Sequence, residues 1–451
     1  MKSIKNKVIY LVIILIIFLS LTSINAADIN NTQEDNPIDI GDFSTLSKEF
    51  NTTSQNINLN KDYIYDSQKD SKFSDGIDIT ADNLVIDGQN HSIDANKKAK
   101  VFNIKSRNVT LKNINIINGY SNSDGGAVYF FGTNGTIINS SFKNCTSDKY
   151  GGAVSFKWSG TVINSRFEDN KAGTGGGVDF GENGEIINST FQNNTAKFQG
   201  GAISFYGIGT VKNSTFIKNT GGDGGTIYAD SECFVVGSSF IQNCAIGYGA
   251  GIYFMSNGNV NNTIFTQNTA LLEGGAIIIK AGNLNIFNSE FNYNVAQKGI
   301  SLYITSKSAK MENLTFSNEN TTFNSEIYIE NSQVNSNNLS FNNKSKTNLT
   351  ENSSQKITKK KTIIKFAPKT YKANKKVKTY TVVLKYGKKL LKSKKIRFTI
   401  KGKTYTKKTN SKGKAIFKIK LNKKGRYKVK IRFNGDNLYK ASKKSVIIKI
   451  K

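Results

Sequence analysis

The chain has 451 residues, more than one hydrophobic core usually organises, so its length implies two bodies or one elongated repeat. A formal net charge of +31 suggests a nucleic-acid partner until it is divided along the chain: residues 356–451 carry 36 Lys and Arg against the single acid Asp436, and the remainder carries 27 basic and 31 acidic residues. Three cysteines, Cys145, Cys233 and Cys244, are too few and too irregular for a disulfide-built fold.

The chain opens with a basic stretch, Met1 to Lys7, followed by an apolar run from Val8 to Leu21 and the small residues Ala26 and Ala27. This is the pattern of a secretory signal over residues 1–27, which predicts export and an extracellular, cell-surface or wall-associated protein. An uncleaved anchor is the alternative reading of the same run, which approaches the lower limit of a membrane span. No later stretch is apolar enough to cross a bilayer, so no membrane span is expected after cleavage. Residues 28–80 read as a polar leader and an N-terminal cap, because an uncovered end of a stacked fold exposes strand edges.

From about Leu84 to Phe341 a period near 25 residues governs the sequence. Phe142, Phe167, Phe191, Phe216, Phe240, Phe265, Phe291, Phe316 and Phe341 are separated by 24 to 26 residues. Five residues before the first seven stand Ile137, Val162, Ile186, Val211, Val235, Val260 and Ile286. Three before the Phe comes Asn, as in Asn139, Asn164, Asn188, Asn213, Asn262, Asn288, Asn313 and Asn338, broken only by Gly237. Three after it comes Asn170, Asn194, Asn219, Asn243, Asn268 or Asn294, with Cys145 in the first slot. A glycine pair then opens a further strand, as in Gly125-Gly-Ala-Val128 and Gly200-Gly-Ala-Ile203. The segment Leu111 to Ile116 carries the same phase with Ile116 in place of Phe, and Asn83 to Gly88 lies one period earlier.

Short β-branched runs bounded by Gly and Asn favour strands. Coiling the chain so that equivalent strands stack at about 4.8 Å places each Phe over the next and each aliphatic over its counterpart. Both Asn columns are expected at inward corners, where an amide bonds backbone and the amide of the next rung. The fold class is therefore all-β, a right-handed parallel β-helix with about 25 residues per rung over residues 81–341. Cys145 and Cys244 lie four rungs apart, beyond disulfide reach, and Cys233 and Cys244 share one rung with a strand and a corner between them, so three free thiols are expected.

The glycine-pair and Phe-x-x-Asn markers resemble the repeats of chlamydial polymorphic outer-membrane proteins and of archaeal adhesin-like surface proteins. The resemblance spans residues 84–300 and, with decaying markers, 301–341. It implies the pectin-lyase-like β-helix fold and an adhesin-like role. Unlike the chlamydial proteins, this sequence shows no C-terminal membrane β-barrel.

Residues 342–360, rich in Asn, Ser, Thr and Lys, read as a flexible linker. Beyond it, strict alternation returns: Tyr427, Val429, Ile431 and Phe433 against Arg426, Lys428, Lys430 and Arg432, and likewise Ala415, Phe417, Ile419 and Leu421. About seven such strands over residues 361–451 predict a basic immunoglobulin-like sandwich. The run from Gly425 to Tyr439 resembles the terminal strands of prokaryotic immunoglobulin-like repeats.

Parallel β-helices include polysaccharide lyases and glycoside hydrolases, so acids on neighbouring rungs matter. Asp179 is the best candidate, but its equivalents one rung away are Ser155 and Ser204, and no second carboxylate is expected beside it. Glu168, Asp169, Glu182 and Glu185 read as solvated charges in turn-like segments. His91 is the only histidine, so a histidine triad or zinc site has no material, and neither a cofactor nor a metal is expected. Trp158 with Tyr129, Tyr206, Tyr228 and Tyr253 could line a sugar-stacking face. Sequons at Asn139, Asn188, Asn213 and Asn313 fall in an Asn column read as inward, so Asn348 and Asn352 are the expected glycosylation sites of a glycoprotein.

The basic residues alternate with core residues, and export argues against nucleic acid, which leaves an anionic cell-envelope polymer or surface glycans as the expected partner. An adhesive or structural surface protein without enzymatic activity is the leading expectation, with a carbohydrate-active β-helix enzyme as the alternative. Oligomeric state is not legible.

Overall fold

A computed structural model of the chain describes residues 39–51, 53–317, 326–341, 347–349, 354–357, 360–367, 370–374, 377–436 and 439–451; the N-terminal segment read as a signal lies outside them. The described residues form a parallel β-helix followed by a smaller, separately cored pair of sheets.

Three long parallel sheets of 13, 12 and 12 strands run along the β-helix, with a short fourth sheet of seven strands at one corner. One sheet carries the aliphatic column, one the Phe column, and one the strands that follow the glycine pairs. Pairing is in register, so that Phe142 lies beside Phe167, Phe216 beside Phe240, and Ile137 beside Val162. From Phe142 to Phe341 the rings are stacked with centroids 4.7 to 5.3 Å apart.

The two Asn columns have opposite roles. The one after Phe turns inward, as expected: Asn170, Asn194, Asn219, Asn243, Asn268 and Asn294 are buried. Each amide from Asn170 to Asn268 donates to the Oδ1 of the next at 2.9 to 3.0 Å. Each also donates to the carbonyl of the Phe one rung back, as Asn219 does to Phe191 at 3.0 Å. Its Oδ1 accepts a backbone N–H from that rung as well, so both ends of the amide are satisfied. At the start of the ladder the Cys145 thiol takes a weaker version of this place, accepting from Gly119 N–H at 3.4 Å.

The column before Phe corrects the expectation of an inward corner. Asn139, Asn164, Asn188, Asn213, Asn262 and Asn288 are exposed, with φ between 49° and 51°. Asn is there because it tolerates the left-handed conformation that the bend requires, and for the same reason Gly237 (φ 64°) replaces it. The inward role at this corner belongs to the next residue. Ser140, Ser165, Ser189, Ser214 and Ser238 are buried, and their hydroxyls accept backbone N–H groups from rung to rung, as Ser189 Oγ does from Ser165 N at 3.1 Å.

At the glycine pairs the first residue needs positive φ, 58° to 66° from Gly125 to Gly299. The second permits contact between rungs: a Cβ at Gly152 would stand 2.0 Å from the Gly176 carbonyl oxygen. A second aromatic column, unforeseen in the sequence, follows the pairs: Phe130, Phe156, Phe180 and Phe205 stack at 4.5 to 5.1 Å. Their rings lie on Gly135, Gly160, Gly184 and Gly209, where any Cβ would come within 2.3 to 2.7 Å. Where Ala229 interrupts the column, Cys233 occupies the glycine position, so volume is conserved across the rung.

The β-helix extends past both expected limits. Asn56–Asn58, Tyr63–Ile64 and Ile77–Ile79 pair with the strands of the following rung, within the segment read as leader and cap. The cap proper includes the helix Phe43–Glu49, which buries Phe43 and Leu46, is N-capped by Asp42, and is tied by the buried Asp70 to Phe43 N and Ser44 N. At the other end, Thr347–Leu349 and Ser354–Ile357 pair in parallel with Ile327–Ile329 and Gln333–Asn337, so part of the segment read as linker forms further strands.

In the C-terminal module, a four-stranded sheet (Ile363–Lys365, Val377–Tyr386, Lys389–Leu390, Lys414–Lys420) and a five-stranded sheet (Thr370–Tyr371, Lys395–Ile400, Lys403–Lys408, Gly425–Phe433, Ser442–Ile450) enclose one core. Nearly all pairing is antiparallel, with Thr370–Tyr371 beside Ser442–Ile450 and the isolated bridge of Lys360 with Tyr439 parallel. Val429, Ile431 and Phe433 alternate inward with Ala415, Phe417, Ile419 and Leu421, as the sequence predicts.

Replacing Phe216 by Ala is expected to lower unfolding free energy by about 3 to 5 kcal/mol, because the stacked neighbours Phe191 and Phe240 cannot close the cavity. Denaturant titration measures it, and a loss below about 1 kcal/mol would contradict a packed column. The cysteines are unpaired, and burial raises the Cys145 and Cys233 thiols to about 12. Thiol titration should therefore find three reactive groups after denaturation without reductant, and slow reaction of Cys145 and Cys233 in the native protein.

Candidate functional site

In a β-helix the outward residue of each strand normally meets water. The strands after the glycine pairs depart from this. Their outward column reads Tyr129, Ser155, Asp179, Ser204, Tyr228, Tyr253, Ile278, Tyr303 and Tyr328 in register, and from Ser155 to Tyr303 every member is buried. Residues flanking the strands pack along this column. Tyr150, just before a glycine pair, meets Tyr206, just after a strand two rungs on, edge to face with centroids 6.3 Å apart. Farther along, Lys280 Nζ stands 4.6 Å from the Tyr248 ring centroid and 5.4 Å from that of Tyr303, and pairs with Glu273 at 3.4 Å.

The face thus divides in two. Tyr228, Tyr253, Ile278 and Tyr303 form a closed apolar cluster in which Tyr228 and Tyr253 stack on each other at 5.5 Å. These two rings spend their faces on one another, which corrects their assignment to a sugar-stacking surface. The other half has a polar floor, Ser155, Asp179 and Ser204, between Tyr129 and Tyr228. Beside it lies an open aromatic rim: Phe131 is 46% and Trp158 38% exposed, and Lys157 Nζ stands 3.9 and 5.4 Å from their ring centroids. Tyr129 packs edge to face on Phe131 at 6.2 Å. Trp158 and Tyr129 are therefore linked through Lys157 and Phe131, while Tyr206 packs separately on Tyr150; sequence reading missed Phe131 and Lys157, which occupy equivalent positions one residue after the in-register Phe130 and Phe156.

No family model matches the chain, and no curated protein matches it. Among solved structures, the crystal structure of bacteriophage CBA120 tailspike protein 3 is similar at 9% identity, over 82% of this chain and 71% of that chain, with a TM-score of 0.34.

The electrostatic centre of the polar half is Asp179, 5% exposed and accepting a hydrogen bond from Ser204 Oγ. Burial raises its carboxyl to about 7; the Ser204 bond opposes this, and the Asp124 charge adds to it. Its neighbours in register are serines, as expected. The second acid comes instead from the turn before Gly125: Asp124 is itself pushed up by burial, and its Oδ1 is buried without a hydrogen-bond partner. The buried Lys100 amine, lowered by desolvation, interacts with Asp75 and Asp124 and lies 5.3 Å from the Tyr129 ring. Tyr206 is raised by burial first and by Asp179 second.

Other acids singled out in the sequence lie elsewhere. Glu168 pairs with Arg166 at 3.0 Å and Lys143 at 3.4 Å, and Glu185 with Lys212 at 2.8 Å; both stand on strands rather than in turns. His91 Nδ1 lies 3.1 Å from Asp62 near the N-terminal cap. Among the described residues no group of three or more His, Cys, Asp and Glu is placed to hold a metal ion. Asn348 falls within a paired strand, and Asn352 lies outside the described residues. The sequons Asn139, Asn188, Asn213 and Asn313 are exposed, contrary to the inward placement expected of them.

Between about pH 4 and pH 7 folded Asp179 keeps a proton that the unfolded chain has lost, so stability falls as pH rises through that window, by up to a few kcal/mol, and levels off above it. Asp179→Asn is expected to flatten the slope and to be more stable than wild type near pH 8. Denaturation series across this range decide the matter, and unchanged slopes would assign the proton to Asp124 instead.

Proposed function

We propose that the chain is exported and acts at the cell surface as an adhesive or structural envelope protein, its β-helix presenting a long stacked surface and its basic module holding an anionic envelope polymer. The observation that carries this reading is the division of charge: 36 cations against one acid in residues 356–451, beside a remainder with 27 basic and 31 acidic residues. A single polyanion-binding function explains so uneven a split better than solubility does, which needs only modest net charge. The basic start and apolar run over residues 1–27 support export, and no helix among the described residues is long and apolar enough to cross a membrane. Two mainly antiparallel sheets around one core support the immunoglobulin-like reading of the module. The rim of Phe131, Trp158 and Lys157 supports glycan contact by the β-helix, since exposed aromatic faces beside a cation suit sugar stacking and hydrogen bonding. The exposed sequons at Asn139, Asn188, Asn213 and Asn313 are the better glycosylation sites.

One observation favours an enzymatic second reading: Asp179 is a buried acid near neutrality with Asp124 close enough to perturb it. A polysaccharide-degradation assay on wild type and Asp179→Asn separates the readings; depolymerisation lost in the variant would establish the enzyme.

Deleting residues 361–451 leaves the strands Thr347–Leu349 and Ser354–Ile357 in place and removes the basic module. The truncated protein is expected to be released from isolated envelopes at physiological salt while the full chain is retained. Equal retention of both would refute the tethering role.

A further inference from the structure

The module is built from lysine, yet it contains three arginines, Arg397, Arg426 and Arg432, and all three point off the outer face of the five-stranded sheet. The two arginines elsewhere in the chain each hold a carboxylate: Arg107 Nη2 is 2.7 Å from Asp82, and Arg166 is 3.0 Å from Glu168. The three in the module have no acidic partner among the described residues, because the one acid there, Asp436, is taken by Lys394 at 2.6 Å. Arginine is thus used sparingly in this chain and, outside this face, always for an oxyanion.

Register sharpens the point. Arg397 pairs directly with Arg432, and Arg432 with Lys443. Like charges opposite one another destabilise a sheet, and three of them cross three adjacent strands within about 10 Å. Thr406 extends the row beyond Arg397. In the neighbouring row Ser445, Lys430, Thr399 and Thr404 stand in register, with the two threonine hydroxyls 2.8 Å apart. Along the strand, Arg426, Lys428, Lys430 and Arg432 repeat a cation every second residue, about 6.7 Å. The face is a lattice of cations and hydroxyls, interrupted by the exposed Ile447 beside Lys428, and it carries no aromatic ring, Tyr405 and Tyr427 being turned toward the core.

We propose that this face binds a linear anionic polysaccharide, with Lys443, Arg432 and Arg397 holding its oxyanions and the flanking Ser and Thr hydroxyls its sugar hydroxyls. The proposal rests on the polymer-binding reading of the module and assigns that function to one face. The fork of guanidinium donors matches an oxyanion in two bonds, which lysine cannot reproduce. Nucleic acid fits less well, because single strands are held by stacking bases on aromatic rings, and this face offers none. Carboxylate and phosphodiester groups share the oxyanion chemistry, and the choice of probe distinguishes them.

The full chain is tested in three forms besides wild type: R397Q/R432Q/K443Q; R397K/R432K, which keeps the charge; and K414Q/K418Q/K420Q, which removes the same charge from the outer face of the other sheet. Binding is measured at about 50 mM salt to polygalacturonate, to a linear polysaccharide of phosphodiester-linked sugars and to oligo-dT. The first variant is expected to lose about tenfold or more in affinity for one of the two glycans, the second several-fold, and the third about threefold or less. Thermal unfolding at low salt is expected to show the first variant at least as stable as wild type, because repulsion in the row has been relieved. Equal losses in the first and third variants, unchanged binding in R397K/R432K, or tighter binding of oligo-dT than of either glycan would each overturn the assignment while leaving a polymer-binding module standing. Failure of wild type to bind any of the three would overturn both.

Discussion

Every rung of this β-helix must tolerate its own likeness one strand spacing away. In-register parallel pairing sets each residue beside its equivalent about 25 positions on, so a side chain survives in the interior only if it is complementary to itself. Phenylalanine meets this condition by stacking. Asparagine meets it because one amide carries both donor and acceptor, and a column of them forms a chain of bonds with nothing left unpaired. Serine meets it through the backbone N–H of its neighbour. A charged side chain cannot, since like charges at about 4.8 Å in a low dielectric repel by several kcal/mol. The same rule explains why Asp179 has a serine on each side, and why its acidic neighbour Asp124 arrives from a different column.

The rule also decides what could be read from the sequence. The Phe, aliphatic and glycine columns were legible because self-complementarity writes one residue type at one period. The Asn columns were legible as columns but not as roles, since asparagine is favoured both where an amide ladder is buried and where the backbone must turn left-handed. The substitutions carry the missing signal: Gly237 in one column marks a demand on φ, and Cys145 in the other marks burial. The serine ladder stood in plain view at Ser140, Ser165, Ser189, Ser214 and Ser238, and at Ser140, Ser189 and Ser214 it was masked by its place inside a sequon. The ends were misjudged for a related reason. The last strands, Thr347–Leu349 and Ser354–Ile357, have the composition of a linker, and only their pairing identifies them as part of the stack.

The candidate site was half legible. Asp179 stands out in the sequence as the only acid in its column from Tyr129 to Tyr328, but the aromatic contact of Tyr150 with Tyr206 runs diagonally across two rungs, and a repeat read one column at a time contains no such contact. Tyr228 and Tyr253 were drawn toward ligand binding by residue type alone. In the structure they obey the stacking rule, and their faces are occupied.

The basic module shows the opposite case. Antiparallel pairing of different strands imposes no likeness between partners, and the sheet uses that freedom at Thr399 and Thr404, where two hydroxyls bond at no electrostatic cost. Arg397 beside Arg432 is therefore not forced by topology, as a column of equal charges would be in the β-helix. In water such an exposed pair repels by about 1 kcal/mol or less, which a core containing Tyr380, Phe398 and Phe417 can carry. What the repulsion leaves behind is a fixed positive field on one flat face, with no acid among the described residues there to quench it. A field of this kind has a use only when an anion is present, and exposed arginine, with its weak hydration and forked donors, surrenders its water to an oxyanion more readily than the lysines around it.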